Sequence, residues 1–251
     1  MANDESDQRC EGKEHVMANV VLVHGLWVDG SSWSLVAREL MNHGHGVTVV
    51  QLPLSSLEDD IAVVKRALAQ QRGPVALVGH SYGGAVISAA SHGADDVAAL
   101  VYVAAVAIGP DESPGAVLEK YPASEGLRAV VADADGYIVL DPARFPELFA
   151  DDVPRQEAEV LAVSQGPAAG ACLAQSVEKV GWPERPSWYV LCTRDRIVTP
   201  EAQQGVADRI GAKVFVSEAS HAVVRSRPSD VVEAIEDALT YAHGRPARPR
   251  P

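Results

Sequence analysis

Cysteine is scarce in this chain: there are three, Cys10, Cys172 and Cys192, in 251 residues. An odd count argues against a disulfide framework, and the spacing fits no metal-ligand set. Cys192 falls inside an apolar run, where a thiol behaves as a small core hydrophobe. Positive charge is also short. Lysine and arginine total 21 against 34 acidic residues, a net charge of −13. That balance leaves no basic footprint for a phosphate backbone and excludes a nucleic-acid partner. Long uninterrupted apolar runs are missing too. No secretory-type core stands near the start, and no stretch has membrane-spanning length without charges. The expectation is a soluble protein of a reducing compartment, the cytoplasm.

What is present is ordinary globular composition, 47% hydrophobic and 22% charged, in a length that suits one α/β domain. Residues 1–17 are mostly polar and charged and read as a disordered leader. The end, Gly244-Arg245-Pro246-Ala247-Arg248-Pro249-Arg250-Pro251, reads as a disordered tail over 244–251. Between them, apolar runs at Asn19–His24, Gly46–Gln51, Val75–Gly79, Ala98–Ala104, Ser187–Cys192 and Lys213–Val216 predict about six strands. Several are unbroken Val/Leu/Ile runs, as strands covered on both faces require. Helical patterns follow most of them, at Trp33–His43, Ser56–Gln71, Gly84–His92, Pro200–Ile210 and Ser229–Ala242, with Ser56 and Ser229 as N-cap candidates. This alternation predicts a mostly parallel sheet flanked by helices.

One interval breaks the rhythm. Residues 109–186 carry no buried-strand pattern, only short helical pieces such as Phe145–Ala150 and Arg155–Gln165. A segment this long without its own strand predicts an inserted helical cap, dividing the core into 18–108 and 187–243.

Chemistry concentrates at Gly79-His80-Ser81-Tyr82-Gly83, placed between a strand candidate and a small-residue helix. A Gly-x-Ser-x-Gly in that context is a nucleophile elbow: a sharp turn lifts the serine hydroxyl above the sheet edge and demands neighbours without bulk. A serine hydroxyl needs a base, and the base needs an orienting acid, in the chain order Ser, acid, His. His221 follows the last strand candidate and is the expected base. Asp195, in Thr193-Arg194-Asp195-Arg196-Ile197-Val198 after strand Ser187–Cys192, is the expected acid, with Asp111 as its competitor and an exposed ion pair with the flanking arginines as the bland reading. The oxyanion donors expected are the backbone amides of Tyr82 and of Leu26, in Val23-His24-Gly25-Leu26-Trp27. His24 is read as fixing that loop and His80 as packing behind the serine. Trp27, Tyr137 and Trp182 are the substrate-binding candidates, with Leu118, Phe145 and Phe149 as further apolar lining.

These segments, with Gly30-Ser31-Ser32-Trp33, Leu100-Val101-Tyr102-Val103-Ala104-Ala105, Pro186-Ser187-Trp188-Tyr189-Val190 and Ala219-Ser220-His221-Ala222, together resemble the α/β-hydrolase superfamily. They are most similar to its compact branch of salicylate-type methylesterases, hydroxynitrile lyases and pyrethroid-hydrolase-like bacterial esterases. The resemblance runs from about Ala18 to about Tyr241. It implies a serine hydrolase of small carboxylic esters that needs no cofactor. It also implies two alternatives, a non-hydrolytic enzyme of secondary metabolism and a ligand receptor that keeps the triad. The cyanohydrin-cleaving members carry a lysine immediately after the histidine; Ala222 stands there in this chain, against lyase chemistry. The expected partner is a small-molecule ester, a homodimer is allowed, and neither nucleic acid nor membrane is expected.

Overall fold

The computed structural model describes residues 18–243; the expected leader and tail, and Cys10, lie outside the described residues. In chain order the strands are β1 (Asn19–Val23), β2 (Gly46–Val49), β3 (Val75–His80), β4 (Val97–Val103), β5 (Val130–Ala132), β6 (Tyr137–Leu140), β7 (Ala168–Ala169), β8 (Ser187–Cys192) and β9 (Lys213–Ser217). Six of them form one sheet in the order β2-β1-β3-β4-β8-β9, and every pairing in it is parallel.

The continuous apolar runs have a direct reason: side chains alternate across the sheet, and both faces are covered. Val20, Leu22, Val78, Val101 and Val190 share one core with Val36 and Leu40 of helix Ser34–Asn42 and with Val231 and Ile235 of helix Pro228–His243. Val21, Val23, Leu77, Leu100 and Leu191 point the other way. They join Ile61 and Val64 of helix Leu57–Leu68, Val86 of helix Gly83–Ala90 and Val206 of helix Pro200–Arg209. Cys192 is buried and free, and so is Cys172. No helix among the described residues is long and apolar enough to cross a membrane.

Helix starts follow local chemistry. Ser56 accepts a hydrogen bond from the Asp59 amide at 3.0 Å, and acidic residues fill the first turn while Lys65 and Arg66 fill the last, both favourable to the helix dipole. The C-terminal helix starts one residue before the expected cap. Pro228 takes the first position, which suits a residue with no amide to leave unpaired, and the Ser229 hydroxyl turns instead to Glu39 at 3.2 Å.

Between β4 and β8 the chain departs from strand–helix alternation. This segment holds short helices, among them Glu125–Arg128, Phe145–Leu148 and Arg155–Val163. It also holds what the sequence pattern did not announce, an antiparallel sheet in the order β5-β6-β7. Those strands are three, four and two residues long, too short for alternation to register, and half-exposed at best over most of their length.

Candidate active site

β3 ends and helix Gly83–Ala90 begins around Ser81, which sits at φ +56°, a left-handed conformation unusual for a residue with a side chain. The sheet holds it there. The Ser81 amide donates to Val103 O at 3.0 Å, and Ser81 O accepts from Val106 N at 3.1 Å. The flanking glycine is a steric necessity, because a Cβ on Gly79 would stand 2.5 Å from Gly83 O. The turn thus lets strand and helix nearly touch, which a larger residue would prevent.

Two distant loops meet this serine. His221, beyond β9, accepts from Ser81 Oγ at Nε2 over 2.8 Å. Its Nδ1 lies 2.7 Å from Asp195 Oδ2. A carboxylate only accepts, so Nδ1 carries the hydrogen and Nε2 is the free acceptor facing the serine hydroxyl. His221 is fully buried, Asp195 nearly so, and Ser81 is 8% exposed. Asp195, not Asp111, reaches the imidazole; Asp111 is exposed, at φ +57°.

Asp195 is fixed from all sides. Its Oδ1 accepts from the amides of Ile197 at 2.7 Å and Val198 at 3.0 Å. Oδ2 accepts from Gln203 Nε2 at 2.9 Å as well as from His221. Gln203 is itself fully buried and accepts from the Cys192 amide at 2.8 Å, tying the acid to the end of β8. The sequence reading missed this residue. Its one signal is a polar side chain on the face of helix Pro200–Arg209 that also carries buried Ala202, Val206 and Ala207.

The segment between β4 and β8 holds the histidine loop. Asp152 Oδ2 accepts from Ser220 N at 2.8 Å, its other oxygen takes the Ser220 hydroxyl, and Phe149 O accepts from Ala222 N at 2.9 Å. Neither Asp152 nor Ser220 was singled out from sequence, since nothing local links positions so far apart.

On the opposite side, Gly25 presses against the serine: a Cβ there would lie 2.6 Å from Ser81 Cβ. The amides of Leu26 and Tyr82 are in buried residues, yet among the described residues neither donates to a protein acceptor. Buried amides are nearly always paired; of these two, Tyr82 follows Ser81 in the chain and Leu26 follows Gly25, which presses on Ser81. His24 braces the loop with both nitrogens. Nδ1 donates to Gly25 O at 2.8 Å, and Nε2 accepts from Leu52 N at 2.9 Å. Burial holds the His24 pKa below the usual imidazole range. His80 donates from Nε2 to His221 O at 2.8 Å, and burial, then the nearby His221, hold it well below that range.

The three substrate-binding candidates are dispersed. Trp27 follows Leu26, buried and at φ +65°. Trp182 donates its indole N–H to Ile108 O at 2.8 Å and lies beneath the Arg209 guanidinium. Tyr137 is 41% exposed on β6. No hydrogen bond or ring contact among the described residues joins Trp182 or Tyr137 to Ser81, His221 or Asp195. Leu118 packs partly buried against the core. Phe145 and Phe149 stack with centroids 4.5 Å apart.

A parallel sheet bearing a strained serine at its central strand, faced by a histidine–aspartate pair, defines a fold and site class. A model of the Alpha/beta hydrolase family matches residues 20–234, and the chain belongs to that family. Among individual proteins, it is 26% identical over 200 residues to a probable hydrolase, R7, of Phoma sp., spanning 74% of this chain and 80% of that one. It is 26% identical over 257 residues to a pyrethroid hydrolase of Sphingobium wenxiniae, spanning 88% and 87%. Among solved structures, polyneuridine aldehyde esterase superposes with a TM-score of 0.77 at 21% identity, spanning 89% of this chain and all of the other, a likeness of fold.

Proposed function

We propose that this protein is a serine hydrolase that cleaves a small carboxylic ester through an acyl-enzyme, using only groups the chain itself carries. The observation that supports this most directly is the unbroken line from Ser81 Oγ to His221 Nε2, 2.8 Å, and from His221 Nδ1 to Asp195 Oδ2, 2.7 Å. In this reading His221 takes the hydroxyl proton as Ser81 Oγ attacks the ester carbonyl carbon. The carbonyl oxygen becomes an oxyanion and receives the Leu26 and Tyr82 amides. The tetrahedral intermediate then collapses, the C–O bond to the alcohol breaks, and His221 returns the proton to the leaving oxygen. Water follows the same course in reverse roles, releasing the acid. Asp195 holds the tautomer that makes Nε2 the acceptor and stabilises the imidazolium formed in each half.

The segment 109–186 acts as a cap in this reading, since Phe149 and Asp152 from it contact the histidine loop. Trp27, which follows Leu26 in the chain, is the substrate contact that chain position favours. The names of the relatives, hydrolase and pyrethroid hydrolase, support hydrolysis as the reaction class.

The test is labelling of Ser81 with a fluorophosphonate, paired with turnover of short-chain p-nitrophenyl esters. Rapid labelling and ester turnover, both lost in Ser81→Ala with an unchanged melting curve, is the expected result. Labelling without turnover of any ester would move the reading to a non-hydrolytic enzyme or a receptor. Turnover that survives Ser81→Ala would overturn it.

A further inference from the structure

Asp60 is a fully buried carboxyl that forms no salt bridge among the described residues and has no part in the proton relay. A charge without a counter-ion is expensive inside a protein, and such groups persist where hydrogen bonds or function compensate. Three chain segments converge on it. Its Oδ1 accepts from the Leu54 amide at 2.9 Å, in a residue held at φ +54°. Its Oδ2 accepts from the Tyr82 hydroxyl at 2.7 Å and from the Cys172 thiol at 3.8 Å. Tyr82 stands immediately after Ser81, and Cys172 belongs to the segment between β4 and β8. Leu54 O in turn accepts from Ala169 N, in β7, at 2.8 Å.

We propose that Asp60 is a positioning residue for the oxyanion site: from helix Leu57–Leu68 its carboxyl holds the far end of the Tyr82 side chain. It thereby fixes the orientation of the Tyr82 backbone amide beside Ser81. The proposal rests on the reading of that amide as an oxyanion donor. The physical argument is one of restraint at both ends. The peptide plane that carries the Tyr82 amide is held at its carbonyl end, where Ser81 O accepts from Gly84 N at 3.0 Å and Val106 N at 3.1 Å, and the Tyr82 phenol adds a tether from this turn to a second helix. Anchoring the phenol to a helix that is itself packed in the core adds to that restraint from the side-chain end, and a rigid oxyanion site avoids reorganisation during the reaction. Burial pushes the Asp60 carboxyl above the usual carboxylate range. Burial, together with the neighbouring Asp60, raises the Tyr82 phenol, which therefore stays a donor.

The link also reaches the cap. Because Cys172 and Ala169 meet the same carboxyl and the same loop, the segment that would enclose the substrate shares its anchor with the amide that would receive the oxyanion.

The experiment compares Tyr82→Phe, which deletes one hydroxyl, with Asp60→Asn, which keeps shape but replaces one of the two accepting oxygens with a donor, and with the double variant. Steady-state kinetics on a p-nitrophenyl ester are read beside inhibition by a trifluoromethyl ketone, which binds as an oxyanion adduct, and by a non-activated ketone of the same shape. Deleting an oxyanion donor costs about 10²–10³ in kcat, so loosening one is expected to lower kcat about tenfold in each single variant. KM is expected to change less than twofold, and the trifluoromethyl ketone to weaken in parallel with kcat while the plain ketone does not. The double variant is expected to fall no further than either single one, as for residues acting as a unit. A purely structural role would lower the melting temperature and leave kcat and the two ketones' ratio unchanged, which overturns the proposal. So would additive losses. If Ser81→Ala retains turnover, the esterase reading fails instead; if Ser81→Ala is dead while both single variants match the parent, only the role of Asp60 fails.

Discussion

The ring of Phe149 stands edge-on against the imidazole of His221, with centroids 4.8 Å apart and planes at 84°. The same residue's carbonyl accepts the amide of Ala222, so one position restrains the histidine through its ring and through its loop. In the proposed reaction the base faces Ser81 in acylation and water in deacylation, and it gains from a wall that permits one ring orientation.

Phe149→Leu is therefore expected to keep the backbone bond and lose the wall. Misplacing a reacting group by about 1 Å costs on the order of 100-fold, and a fall in kcat of about ten- to a hundredfold is expected here. The stability loss should stay near the roughly 1.5 kcal/mol or less typical of hydrophobic replacements that largely keep volume. Stopped-flow measurement of the acylation burst and of the later steady state would separate the two half-reactions. An unchanged burst rate would reduce Phe149 to packing.

The acid makes a sharper case. Asp195→Asn leaves the shape intact but offers an amide hydrogen to Nδ1, favouring the wrong imidazole tautomer, and kcat is expected to fall on the order of 10⁴. Gln203→Leu acts one step further out. It strips Cys192 N of its acceptor, at about 1–3 kcal/mol for a buried amide left unpaired, and removes one of the two donors of Asp195 Oδ2, which keeps His221. Urea unfolding should register that loss, and kcat should fall by less than in Asp195→Asn. Equal loss of kcat in the two variants would mean that Gln203 does more than hold the carboxylate.

How far these residues could be read beforehand depends on how local their signal is. Strands covered on both faces announce themselves as apolar runs, so β1, β3, β4 and β8 were visible within a residue or two. Ser81, Asp195 and His221 were visible because each sits just past such a run, where the topology collects loops at one sheet edge. Gln203 and Asp152 act only through partners that folding brings near. Asp60 meets Tyr82 across 22 residues of sequence, and no pattern in helix Leu57–Leu68 marks it off from its acidic first turn. β5, β6 and β7 were missed because two to four residues cannot carry a period.

Acid should unfold the protein earlier than its carboxylates alone would dictate. His24 and His80 are both held below the usual imidazole value of 6.5 by burial. Below that pH the unfolded chain binds protons that the native chain refuses, so stability is intact above about 6.5 and falls as pH drops beneath it. Each such proton contributes a slope of up to about 1.4 kcal/mol per pH unit. In His80→Gln, whose amide can still donate to His221 O, the slope between pH 6.5 and 5 is expected to be shallower by one proton. Parallel slopes for parent and variant in urea titrations would show that His80 takes no part.

Gly25 offers the most direct probe of how closely the proposed oxyanion loop must approach. A methyl group there would stand 2.6 Å from Ser81 Cβ, 3.1 Å from His80 O and 3.2 Å from Ser81 Oγ. The first distance is one that real carbon atoms do not tolerate, and two of the three neighbours belong to the serine itself, whose left-handed backbone has no slack. Gly25→Ala must then push the loop outward, carrying the Leu26 amide with it, while the core of β1 behind the loop stays packed. The loss should appear in chemistry more than in folding: kcat/KM down on the order of 100-fold, as for removal of one oxyanion donor, with a melting temperature within a few degrees of the parent. Since His24 clamps the same loop through Gly25 O and Leu52 N, relaxing the clamp in His24→Asn should recover part of the activity lost in Gly25→Ala by letting the loop settle elsewhere. Additive damage in the double variant would instead mean that the loop has one productive position, and that glycine and histidine are both needed to reach it.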